Sequence, residues 1–170
     1  MNPLKILLPN FIFLFVIIIS INTAKAQELT TDDYKNLIDR YIEYWNTGNL
    51  ENIEEVLHPD FELRITPTYE PETGIETFKE SVKNYRTTYP DFTVEVIELI
   101  FEGSTAAARW RITATHSGPG WIPPTNKKVD VLGMSFFHFK DGKLLDEWVA
   151  SNNSYWLQQL GYTIQPPAEE

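Results

Sequence analysis

Residues 145–161 read Leu-Asp-Glu-Trp-Val-Ala-Ser-Asn-Asn-Ser-Tyr-Trp-Leu-Gln-Gln-Leu-Gly. The first half has the composition of a strand end and the second half that of a short helix. Alternate side chains of a strand share a face, so Asp146, Trp148, Ala150 and Asn152 stand together. Burying polar groups without partners costs free energy, and a wholly apolar face would avoid that cost. A large aromatic flanked by two polar groups therefore reads as the wall of a small-molecule pocket. The alternative is a core aromatic, Trp148, with Asp146 and Asn152 at the wet ends of the strand.

Upstream of this stretch the chain alternates hairpin signals with long strands. Lys143–Asn152 follows the tight turn Asp141-Gly142, which follows the strand pattern Lys128–Lys140. Thr105–Ser117 is another strand, with Trp110, Ile112, Ala114 and His116 on one side and Arg109, Arg111, Thr113 and Thr115 on the other. The strand from Phe92 to Phe101 loses its alternation near Glu98, which predicts a bulge. Residues 118–126 carry two glycines and two prolines and read as a loop.

The first part of the domain is helical. Thr30 or Thr31 can cap a helix whose apolar side is Tyr34, Leu37, Ile38, Tyr41, Tyr44 and Trp45, ended by Gly48. Asn49 can cap a short second helix, and His58-Pro59-Asp60 stops it. Phe61, Leu63 and Ile65 alternate as a half-buried strand, residues 67–74 form a loop, and a third helix runs from about Ile75 to Tyr89. Helices followed by consecutive antiparallel strands predict an α+β domain with a curved sheet and the helices packed on its concave face.

Residues 1–26 have the pattern of a secretory signal: Lys5, the apolar run 11–21, then Ala24-Lys25-Ala26. Cleavage near Ala26 would export the chain and leave one domain, 27–164, with a frayed tail at 165–170. The net charge is −10 and moves to −12 on cleavage, because Lys5 and Lys25 leave and no acid does. Such an acidic chain is a poor partner for nucleic acid or an anionic membrane surface. It contains no cysteine, which excludes a lipid-modified N-terminal Cys, a thiol nucleophile and Cys-ligated metal.

Three pieces of the chain resemble the SnoaL-like polyketide cyclases (ester cyclases) of the nuclear-transport-factor-two-like cone fold. They are Tyr44-Trp45-Asn46-Thr47-Gly48-Asn49-Leu50, Thr115-His116-Ser117-Gly118 with Ile122-Pro123-Pro124-Thr125, and Asp141-Gly142-Lys143 with Glu147-Trp148 and Gln158-Gln159-Leu160-Gly161. The resemblance implies a bent sheet around a deep apolar pocket. It also implies an aspartate that removes a carbon-bound proton, followed by intramolecular aldol closure with no metal or cofactor. The family's aspartate falls four residues after the strand tryptophan, where this chain has Asn152. An amide takes no proton at neutral pH.

His116 and Asp146 are then the candidates for proton transfer, with Asn152 orienting a carbonyl. Tyr41, Trp45, Trp110 and Trp148 are expected to reach the pocket, with Trp121 as a lid. Arg64, if it points inward, would select a carboxylate-bearing ligand. His58, His116 and His138 are scattered, so no metal site is expected. The expected ligand is a small hydrophobic carbonyl compound. The competing reading is a pocket that binds without catalysis, or a module that dimerises through the outer sheet face; a homodimer is expected in either case.

Overall fold

A computed structural model describes residues 29–65, 70–163 and 165. Residues 1–26, expected to form a signal, and nearly all of the expected tail 165–170 lie outside the described residues.

The first helix, α1 (Thr31–Thr47), starts on a reciprocal cap. The Thr30 hydroxyl accepts from the Asp33 N–H at 3.2 Å, and the Asp33 carboxylate accepts from the Thr30 N–H at 2.8 Å. The Thr30 hydroxyl, donating to the same carboxylate at 2.7 Å, and the Thr30 N–H hold the Asp33 carboxyl below its ordinary pKa. Gly48 ends the helix with φ 72°, a left-handed conformation that glycine adopts freely. Leu37, Ile38, Tyr41, Tyr44 and Trp45 form the buried face. A short helix α2 (Ile53–Val56) follows; its N-cap residue is Asn52, while Asn49 instead accepts from the Glu51 N–H. The strand β1 (Leu57–Ile65) already includes His58-Pro59-Asp60.

The chain then forms β2 (Glu72–Thr73), α3 (Ile75–Thr88), β3 (Thr93–Glu102), β4 (Thr105–Thr115), β5 (Lys128–Lys140), β6 (Lys143–Ser151) and α4 (Asn153–Gln159). These strands make one six-stranded sheet in the order β2-β1-β6-β5-β4-β3. The expected bulge in β3 falls between Val96 and Glu98. The sheet is mixed, which corrects the all-antiparallel expectation: β1 and β6 are parallel, with Leu63 beside Glu147 and Arg64 beside Trp148. β3 to β6 reverse direction at each step, and β6 joins β1 without a hairpin to dictate an antiparallel pairing.

One face of the sheet is the core. Ala106, Ala108, Trp110 and Ala114 of β4 and Val129, Phe137 and Phe139 of β5 are buried there with the aromatic side of α1 and with Phe78 and Val82 of α3. Rings interlock across this layer; Tyr41 lies 5.3 Å from Phe78, and Trp45 5.2 Å from Phe78. Gly133 stands opposite Trp110 in the β4–β5 ladder. A Cβ on Gly133 would lie 2.0 Å from the indole, so only glycine lets that ring lie across β5.

Candidate functional site

The inner face of β6 is set by a bulge. Phe139 pairs with Leu144 and His138 with Asp146, so Leu145 is left out of the ladder. The inward series therefore runs Leu144, then Glu147, Val149 and Ser151, while Asp146, Trp148 and Ala150 turn outward. The face expected to line the pocket is the outer one. Asp146 receives a hydrogen bond from, or gives one to, the His138 Nδ1 at 2.7 Å on that outer face. Trp148 is 42% exposed and carries the Arg64 guanidinium 5.1 Å from its ring centroid. Arg64 also pairs with Glu62, so it does not enter the interior as a carboxylate selector. Asn152 is exposed and caps α4, accepting from the Tyr155 N–H at 2.9 Å. It does not line the interior cavity, where a substrate carbonyl would have to be oriented.

Between the inner face and the helices lies a cavity of about 470 Å³. Trp45 from α1, Tyr85 and Tyr89 from and after α3, Trp110 from β4 and Trp156 from α4 supply aromatic walls. Trp121, 84% exposed, is on the lining and belongs to the 116–127 loop. That loop is tied to the end of α3 by the Gly118 N–H donating to the Thr88 carbonyl at 3.0 Å.

The carboxyl group on the lining is Glu147, beside the phenols of Tyr85 and Tyr89, whose pKa values burial raises. Its Oε2 accepts from the Tyr41 hydroxyl at 2.5 Å, and its Oε1 accepts from Ser135 Oγ at 2.6 Å. Ser135 Oγ in turn accepts from the Trp110 indole N–H at 2.8 Å. Tyr41 is thus fully buried behind the wall, and Trp110 serves both as wall and as the end of this chain of donors. Burial raises the Glu147 pKa from an ordinary 4.5 to about 7, and the bonds from Ser135 and Tyr41 keep it from rising further. The Tyr41 phenol is pushed well above its ordinary value, first by burial and then by the neighbouring carboxyl.

His116 is wholly buried but does not line the cavity. Its ring packs 5.1 Å from that of Tyr89, one layer behind the wall. Nδ1 accepts from the Thr125 N–H at 3.2 Å. Nε2 is buried without a hydrogen-bond partner among the described residues. Among the described residues no group of at least three His, Cys, Asp or Glu side chains is gathered as a metal would need.

Glu147 falls outside the sequence reading because the pocket face is chosen there by composition, an aromatic with two polar groups, and that choice takes the side of Asp146 and Trp148. The signal was the run Glu147, Val149, Ser151, which alternates with the exposed series from one residue away.

A helix-covered, curved mixed sheet around an aromatic cavity is the cone fold of the nuclear-transport-factor-two-like proteins. Residues 35–160 match the profile of the SnoaL-like polyketide cyclases, and the chain belongs to that family. TsrD from Streptomyces laurentii superposes with a TM-score of 0.70 at 24% identity, over 79% of this chain and 98% of that one. A candidate polyketide cyclase from Bacillus cereus gives 0.64 at 28% identity, over 78% and 85% of the two chains. IdmH, a candidate polyketide cyclase from Streptomyces antibioticus, gives 0.66 at 25% identity, over 75% and 98%. No curated protein matches the chain.

Proposed function

We propose that the domain catalyses proton transfer on a small hydrophobic carbonyl compound, as an ester-cyclase-like enzyme, with Glu147 as the base. The observation that carries this reading is a buried carboxyl on an aromatic cavity wall, held near neutrality by burial and two hydroxyl donors. The carboxylate takes a proton from the carbon beside a carbonyl, leaving an enolate. The enolate carbon forms a bond to a second carbonyl of the same molecule. The alkoxide so formed recovers the proton from Glu147. A carboxylate has about four acceptor positions, so the bonds to Tyr41 and Ser135 leave others open to substrate.

The test is deuterium exchange of 2-tetralone by the purified domain. Wild type should exchange and Glu147→Gln should lose at least about 100-fold, within the range of a general base. Exchange that survives in Glu147→Gln and disappears in His116→Ala would move the base to the histidine. A second reading, binding without catalysis, draws support from Asn152 being committed to the α4 cap. Wild type that binds 2-tetralone and exchanges nothing would establish it.

The proposal extends to export, with cleavage near Ala26, and to a homodimer. Ile100, Leu132, Met134 and Phe136 are exposed on the outer sheet face, flanked by the Arg109–Glu98 and Arg111–Asp130 pairs. Mass spectrometry of the mature N-terminus tests the first. Sedimentation of wild type against Met134→Asp tests the second.

A further inference from the structure

The cavity is sided by charge as well as by shape. Among the described residues that line it there is no Lys, Arg or His, and Glu147 is the carboxylate. The groups that touch Glu147 are hydroxyls, from Tyr41 and Ser135, so its charge meets no cation among the described residues. The ladder neighbours on either side are Leu63 and Phe137, which carry none. The titratable group that reaches it is Tyr41, with Glu72 acting on that phenol from further off. A buried charge is ordinarily paired or neutralised. Here the proton does it in the free protein, and a bound cation would do it equally well.

The walls point the same way. Trp45, Tyr85, Tyr89, Trp110 and Trp156 surround the space, and aromatic faces attract ammonium groups. The overall charge of −10 draws cations toward the domain and repels anions. We infer that the cavity selects lipophilic cations, seating an ammonium group against Glu147 and the tryptophan faces, and that it rejects carboxylates of the same size. This inference rests on reading the cavity as the ligand site; it does not depend on catalysis. It gives the class of ligand: an amine-bearing, largely aromatic molecule, as substrate or as inhibitor.

The test uses three probes of similar bulk whose charges do not change over the range used: benzyltrimethylammonium, its carbon isostere neopentylbenzene, and 4-tert-butylbenzoate. Binding is read from tryptophan fluorescence, with calorimetry for confirmation. In wild type at about pH 8, where Glu147 is ionised, the ammonium should bind at least about 10-fold tighter than the hydrocarbon, with the benzoate weakest. At about pH 5.5 the preference should shrink to within about 3-fold, because the carboxyl is then protonated. Glu147→Gln should show no preference at either pH. The wild-type pH comparison decides the matter even if that variant does not fold.

Equal binding of ammonium and hydrocarbon at the higher pH overturns the charge selectivity and leaves the pocket intact. A preference that persists in folded Glu147→Gln, or a benzoate that binds tightest, also overturns it. Binding of none of the three overturns the pocket itself. Deuterium exchange of 2-tetralone on the same preparation reports separately on catalysis.

Discussion

Asp146 and Glu147 are neighbours in sequence and lie on opposite sides of one strand. Asp146 faces outward and shares a proton-bearing contact with His138, whose ring is 44% exposed. Glu147 faces inward, is 6% exposed, and is held by two hydroxyls. The same functional group is thus a surface partner in one place and a near-neutral acid–base group in the other. Chemistry here is conferred by which side of the sheet a residue occupies, and a single bulge at Leu145 decides the side.

The largest expected difference is in the pH dependence of stability. The folded-state pKa of Glu147, about 7, lies above the ordinary 4.5, so between those values the folded protein binds more protons than the unfolded chain. The stability from protonated Glu147 is full below about pH 4.5 and is lost as pH rises through about 7, by about 3 kcal/mol in all. Urea melts of wild type across that range should show the fall. Glu147→Gln should flatten it, and Asp146→Asn should leave it in place. A wild-type profile already flat would erase the contrast between the two carboxylates.

Next in size is Gly133→Ala, which forces the Trp110 ring off β5 and so disturbs the donor to Ser135. Thermal melts should show a loss of about 1–3 kcal/mol, as overpacking does. Tyr41→Phe removes one of the bonds that hold the Glu147 pKa down. The rise of exchange rate with pH should then move upward by about one unit, at a stability cost of about 1–2 kcal/mol. The smallest effect belongs to the outer face. Asp146→Asn should cost monomer stability no more than about 1 kcal/mol, since the His138 side of the contact is 44% exposed although the Asp146 side chain is only 17% exposed. A larger loss there would mean that the two sides are less different than their exposure says.

Much of the fold was legible because periodicity survives wherever a strand or helix is regular. The aromatic side of α1, the limits of β5, the inward Trp110 and the bulge in β3 all read directly from spacing. The site was legible only in part. Trp45, Trp110 and Trp121 are on the cavity lining, whereas Asp146, Trp148 and Arg64 are outside it. The alternation of β6 is regular beyond Leu145 and does not say which of its two faces is inner; the bulge reverses the side that a count from the Asp141-Gly142 turn would give, and Glu147 stands on the face that composition passes over. The parallel seam was hidden for a different reason. It joins segments far apart in the chain, and no local turn residue announces it.

That seam has a kinetic meaning. Leu63 lies beside Glu147 across 84 intervening steps of chain, 147 minus 63, and β6 must slot between β1 and β5. Pairings of such long range close late and slowly, because the loop entropy comes before the reward of contact. The hairpins from β3 to β6 can assemble locally while β1 is still loose. The seam beside the carboxyl is then the last to close, so a partly folded molecule would carry Glu147 on its sheet before β1 arrives to cover it.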